Sequence, residues 1–249
     1  MFVGVDGCKA GWFAIQLSED NGWKVDVFPD VSSLWNQCNN ASVILIDIPI
    51  GLRESGNQER RCDPVARKLL GPRRSSVFPT PCRPAIYAGS YQEACEINQR
   101  LIGKRLSRET WNISPKIREV DLFLDKEVSA RLCIREIHPE ICFWALAGCP
   151  MKHAKKKREG LLERMELLSL IYPQTTELVE YTLNEYKRKD VARDDILDAL
   201  AGAITARLGK QGLMSISQTP EFDVRGLRME MVYYHLFAHR VRIQDAGYR

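Results

Sequence analysis

The chain has 249 residues, 45% of them hydrophobic and 27% charged, which allows a sizeable core and argues against an intrinsically disordered chain. No apolar run approaches the roughly 18 residues of a membrane span, because the stretch 43–50 is broken by Asp47. The first residues also lack the basic and apolar parts of a secretory signal. Thirty-six Lys and Arg against 32 Asp and Glu leave a net charge of +4, too small by itself to name a partner, and a soluble, cytoplasmic protein is expected.

Residues 2–6 form a short apolar run that ends in Asp6, and Gly7 with 9–11 supplies turn chemistry. Residues 12–17 read as a second strand, and 23–28 alternate with period two, so the three predict an antiparallel meander. Residues 29–33 open a short helix that reaches about Cys38. Residues 42–48 are apolar apart from Asp47, as in a strand buried on both faces.

The middle differs in composition. From 53 to about 90, basic residues and glycines mix with Pro64, Pro72, Pro79, Pro81 and Pro84. That predicts one helix over about 59–70 and then a long irregular loop, a kind of segment that is usually functional. Helices are expected over 90–106 and over 114–126, the latter with Ser114 as N-cap and Pro115 at its first position. A strand over 131–138 leads into a helix starting at Pro139. Amphipathic helices follow at about 156–171 and 173–187, and an alanine-rich helix at 193–208 ends at Gly209. The tail from Leu213 either adds a strand near 229–234 or makes contacts in a homodimer.

The order is β-β-β-α-β, a helical insertion at about 53–130, then β-α and further helices. It predicts an α/β, ribonuclease H-like fold with a mixed sheet, three antiparallel strands plus parallel ones, flanked by helices. No linker or repeat divides residues 1–249, so one domain is expected.

Three acidic positions stand at the edges of apolar elements. Asp6 closes the first strand, Asp47 lies in the fourth, and Asp194-Asp195-Ile196-Leu197-Asp198 opens the last helix. Adjacent first and fourth strands would bring Asp6 and Asp47 to the same end, and Asp195 and Asp198 share a helical face. Such acids are costly to gather unless a cation neutralises them, and hard oxygen ligands suit Mg²⁺ or Mn²⁺. Each also has a plainer explanation: turn formation for Asp6, an ion pair for Asp47, helix capping for Asp194 and Asp195.

A second cluster, Glu136, His138 and Glu140, ends the fifth strand, where Glu136 and His138 share a face and could orient water or carry a proton. A satisfied His at a strand–helix junction is the alternative. A third feature is Arg73-Arg74-Ser75-Ser76 before Phe78-Pro79-Thr80-Pro81, two guanidinium groups and two hydroxyls suited to phosphate. Eleven Lys and Arg fall between 60 and 108, and 152–158 is a second basic run. Both fit a phosphate-rich partner or a solvated face. The eight cysteines contain no C-x-x-C pair and read as small buried hydrophobes of a reducing compartment. His235 and His239 have an i, i+4 spacing but no nearby Cys or acid partner, and read as core or surface residues.

Several motifs in fixed order resemble the DUF429 family, described as predicted ribonuclease H-like nucleases. They are Gly4-Val5-Asp6-Gly7-Cys8-Lys9-Ala10-Gly11-Trp12, Ile46-Asp47-Ile48-Pro49-Ile50-Gly51-Leu52, Arg61-Cys62-Asp63, Arg74 to Pro81, Glu136-Ile137-His138-Pro139-Glu140 and Asp194 to Leu200. Asp195-x-x-Asp198-Ala199-Leu200-Ala201 also resembles the last motif of RuvC-type Holliday-junction resolvases. That resemblance matches Asp6 to their first-strand acid and Asp195 with Asp198 to their C-terminal pair, while their fourth-strand Glu is here Asp47. Together these imply a Mg²⁺- or Mn²⁺-dependent phosphodiesterase acting on DNA or RNA. Asp6, Asp47 and Asp198 would ligate metal, with Asp195 a fourth ligand or supporting partner. Glu136 and His138 would position water, and Arg73, Arg74, Ser75 and Ser76 would hold phosphate. A non-catalytic nucleic-acid-binding module is the alternative. An actin-like phosphotransferase is a further one, although such kinases duplicate the core and this chain has room for about one.

Overall fold

Two apolar stretches either side of a tight turn give the longest strands, β1 (Phe2–Cys8) and β2 (Gly11–Leu17), paired antiparallel from Phe2 opposite Leu17 to Cys8 opposite Gly11. Gly11 makes the turn at φ 137°, where a Cβ would lie 2.1 Å from the Phe28 carbonyl oxygen. β3 (Trp23–Phe28) adds antiparallel to β2, completing the expected meander. α1 (Val31–Cys38), capped by the Asp30 carboxylate accepting from the Ser33 amide at 2.7 Å, carries the chain to β4 (Val43–Ile46). β4 runs parallel to β1, and β5 (Ile134–Glu136) runs parallel to β4. In this computed structural model, which describes residues 1–219 and 221–236, the sheet order is β3-β2-β1-β4-β5. Three antiparallel strands followed by two parallel ones form the ribonuclease H-like sheet that the element order predicts.

Between β4 and β5 lie α2 (Cys62–Leu70), a 3₁₀ turn over Gly71–Ser76, α3 (Arg83–Ile86), α4 (Tyr91–Ile102) and α5 (Arg108–Lys126). The stretch after α2 therefore contains two short helical turns where an irregular loop was expected. α5 corrects a boundary. It starts seven residues before Pro115 and runs through it, so Ser114 is not its cap. Ser107 is the cap, its hydroxyl accepting from the Thr110 amide at 3.1 Å, while the Ser114 hydroxyl donates to the Thr110 carbonyl at 3.0 Å. An interior proline sacrifices a helix hydrogen bond. The cap and a buried stripe of Ile117, Val120 and Leu124 against the sheet outweigh that loss. β5 is shorter than expected, because a 3₁₀ turn over Val128–Leu132 occupies its predicted start.

Beyond β5, α6 (Pro139–Ala147), α7 (Arg158–Ile171), α8 (Thr175–Glu185) and α9 (Arg193–Leu208) complete the helices of the described residues. Strand alternation sorts the core into two layers. Phe2, Phe13, Ile15 and Leu45 pack with α6 to α9, whereas Val3, Val5, Ala14, Ile44 and Ile46 pack with α1 and α5. The tail contributes β6 (Met214–Ser215) and β7 (Val232–Tyr233), an antiparallel pair that includes the strand expected near 229–234. No helix among the described residues is long and apolar enough to cross a membrane.

All eight cysteines are free. Six are buried, Cys133 is half-buried and Cys149 is exposed, so the expectation of burial fails at Cys149. His235 stacks edge-on against Trp144 with ring centroids 5.6 Å apart; His239 lies outside the described residues.

α9 crosses β1 at very close range. A Cβ on Gly4 would lie 2.1 Å from the Ala199 carbonyl oxygen and from the Ala203 nitrogen, both backbone atoms that cannot step aside. Gly4→Ala therefore lowers stability by about 3 kcal/mol or more, the upper range of overpacking costs. A urea midpoint equal to that of the wild type would show that α9 is not seated there.

Candidate metal centre

The parallel register pairs Val5 of β1 with Ile46 of β4, so the next residues, Asp6 and Asp47, stand side by side. The ladder continues into Asp47, whose amide donates to the Val5 carbonyl at 2.9 Å. Both acids share a face with Gly4 and Leu45, two residues earlier, and that face is the one α9 covers. On α9, Asp198 comes one turn before Gly202, which rests on Gly4. One helical turn and two strand residues each advance about 6 Å, so the glycine crossing carries Asp198 over the two strand acids. One carboxylate oxygen from each of Asp6, Asp47 and Asp198 lies within 4.8 Å of the others.

Gathering three carboxylates, two buried and Asp47 half-buried, makes their ionisation expensive. Burial, with Asp47 and Asp198 adding repulsion, raises the Asp6 carboxyl well above its ordinary range. Burial and then Asp198 push Asp47 up to about 8. Asp198 is also raised by burial, although Lys155 acts against the shift. Lys155 comes from the segment between α6 and α7, and its Nζ donates to Asp198 Oδ2 at 2.6 Å. Burial disfavours its ammonium, but Asp198 and Asp6 more than offset this and hold its pKa above the ordinary lysine value. The other oxygen of Asp198, Oδ1, is buried and has no hydrogen-bond partner. That orphaned lone pair, in an all-oxygen donor set, fits a hard divalent cation.

The acids form the floor of a cavity of about 960 Å³. Arg73, Arg74, Ser75 and Ser76 line it together, held in the 3₁₀ turn by the Ser76 hydroxyl donating to the Arg73 carbonyl at 2.9 Å and by the Val77 amide donating to the Arg74 carbonyl at 3.2 Å. Phe78, Lys116 and Lys156 line it as well. His138 enters as the residue before α6. Its Nε2 lies 3.2 Å from the Ser76 carbonyl oxygen, which can only accept, so Nε2 carries the proton and the buried Nδ1 has no partner. Burial lowers its pKa, in keeping with a neutral ring.

Two expected site residues have their carboxylates engaged in other bonds. Glu136 pairs in register with Ile46, so it faces the side of the sheet opposite to Asp47. There it accepts from Arg60 at 2.7 and 2.8 Å and from the Ile50 amide at 2.6 Å. Glu136 lines the same cavity as the three aspartates, but both its oxygens are committed to the buried ion pair with Arg60. Asp195 accepts from the Ala192 amide at 2.9 Å and caps α9; burial raises its pKa to about 6. It is not among the described residues that line the cavity. The resolvase-like pairing of Asp195 with Asp198 thus places only Asp198 in the centre.

Lys155 and Arg60 are the residues sequence reasoning missed. Lys155 lay inside a run of like charges with nothing to single it out. Arg60, only 1% exposed, looked like one more member of the basic stretch at 60–108.

A family described as "Protein of unknown function (DUF429)" matches residues 4–221. No curated protein and no solved structure matches the chain.

Proposed function

We propose that this chain, which belongs to the DUF429 family, is a phosphodiesterase that cuts nucleic acid with the help of Mg²⁺ or Mn²⁺. The observation that carries the reading is the Asp6, Asp47 and Asp198 cluster, with its unpartnered buried oxygen, at the floor of an arginine-rimmed cavity. A divalent ion held by these carboxylates supplies Lewis-acid activation of a phosphoryl oxygen and of water.

The chain's own groups account for the remainder. Arg73 and Arg74, with the Ser75 and Ser76 hydroxyls, grip the phosphate that flanks the scissile bond. The unpartnered Nδ1 of a neutral His138 is available to accept a proton. Phe78 offers a ring on which a base can stack beside the phosphate-binding turn. The basic residues of the cavity rim draw a polyanion toward acids that would otherwise repel it.

The test is to incubate wild-type and Asp6→Asn protein with Mn²⁺ and a labelled panel of single-stranded, duplex and branched DNA and RNA. The expected result is cleavage by the wild type alone, with the strands cut naming the substrate class. If neither protein cuts and both bind the panel equally well, the reading gives way to a nucleic-acid-binding module.

A further inference from the structure

Metal-assisted phosphodiester cleavage often uses two ions about 3.5–4 Å apart, and the charge at this centre bears on whether it can hold both. Four carboxylates were anticipated from the sequence, but the fourth, Asp195, is spent on the Ala192 amide, and a lysine stands among the remaining three. Once a bound cation has displaced their protons, the three carboxylates with one ammonium sum to −2, the charge that a single divalent cation neutralises. We infer that the centre takes one divalent cation and that Lys155 supplies the positive charge a second would have brought. The inference rests on the metal reading above and goes beyond it, because it fixes how many ions bind and names the residue that decides this.

The two oxygens of Asp198 divide the work. Oδ2 receives the Lys155 ammonium at 2.6 Å, while Oδ1, buried with no partner, is left for the cation.

The Lys155 side chain is 36% exposed along its length, and the backbone just before it is held so that its ammonium reaches Asp198. The Glu163 carboxylate accepts from the amides of Lys152 and His153 at 2.8 and 3.0 Å. Arg164, 1% exposed, donates to the His153 carbonyl at 3.1 Å and pairs with Glu140. Gly160 lets α7 come so near that a Cβ there would lie 2.0 Å from the Ala154 carbonyl oxygen. These contacts turn the half-exposed Lys155 toward Asp198 while Lys152, Lys156 and Lys157 stay exposed.

The experiment is a Mn²⁺ titration of the full chain followed by electron paramagnetic resonance, which counts bound ions without any need for turnover. Wild type is expected to bind one Mn²⁺ per chain. Lys155→Met and Lys155→Gln, which remove the charge, are expected to bind the first Mn²⁺ about tenfold more tightly. They are also expected to admit a second, seen as a spin-coupled signal. Lys155→Arg, which keeps the charge, stays at one ion. Two ions in the wild type, or one ion at unchanged affinity in both neutral variants, overturns the inference while leaving the metal centre intact. No Mn²⁺ bound by the wild type overturns the metal centre and this inference with it. Far-ultraviolet circular dichroism and urea midpoints confirm that each variant is folded before its ions are counted.

Discussion

Asp47→Asn gives a protein that is more stable than the wild type in the absence of metal and unable to bind Mn²⁺. Asp47 faces Asp6 and Asp198 directly, with Asp195, Lys155 and Glu136 contributing to the field around it. Burial, and then Asp198, push its carboxyl up to about 8. An unfolded chain would hold the same group near 3.9. Because the folded state binds the proton more tightly, metal-free wild-type protein loses stability as the pH rises from about 4 to about 8. Asparagine keeps the shape and cannot ionise, so the variant escapes that loss. The gain is about 1–2 kcal/mol at pH 8, within the range of stabilising substitutions at functional sites, and it fades toward pH 4. Adding Mn²⁺ reverses the order, since only the wild type gains stability by mass action. Urea unfolding in chelator at pH 5 and pH 8, paired with Mn²⁺ calorimetry, reads both effects. A variant less stable than the wild type at pH 8, or one binding Mn²⁺ with unchanged affinity, would remove Asp47 from the centre.

Asp6 and Asp47 were legible before the fold was known because strand alternation and a hydrophobic run are local signals. An acid inside a run otherwise apolar is conspicuous. Asp198 was legible as one of a group, but choosing it over Asp195 needed the crossing of α9 on β1, which Gly4 and Gly202 set by close approach. Glu136 and His138 both line the cavity, as their shared period suggests, but the Arg60 pair that occupies both Glu136 oxygens joins residues 76 apart and left no local signal. Lys155 was beyond local reading altogether. Its turn toward Asp198 is imposed by Glu163 and Arg164 on a helix that begins three residues later, and that partner is 43 residues away. The same holds for α5, where a cap at Ser107 and a stripe of buried apolar residues overrule the boundary that Pro115 signals.

Arg60→Met tests whether the buried ion network, separate from the metal ligands, is what holds the site in shape. The Arg60 guanidinium binds both oxygens of Glu136, Asp63 at 2.7 Å and the Ile50 carbonyl at 3.1 Å, tying together β5, α2 and the loop that follows Asp47. Asp63 in turn accepts from the Thr80 amide at 3.2 Å, beneath the arginine-bearing turn. Methionine fills similar space but leaves two carboxylates buried without a cation, a loss of about 3–5 kcal/mol. The deficit is larger at pH 8 than at pH 5, because the abandoned Glu136 carboxyl, which burial already raises to about 7, can take up a proton in acid and cease to be a buried charge. Adding Asp63→Asn and Glu136→Gln to Arg60→Met removes the unpaired charges and recovers part of the loss. Urea midpoints at the two pH values measure all three outcomes. Glu136→Gln alone then separates the two roles considered for this residue. A water-positioning acid would cost activity and leave stability alone, whereas a carboxylate committed to Arg60 costs stability first, and Mn²⁺ affinity at Asp6, Asp47 and Asp198 stays as it was. Loss of cleavage in a Glu136→Gln protein with wild-type stability would return Glu136 to the reaction and undo the structural assignment.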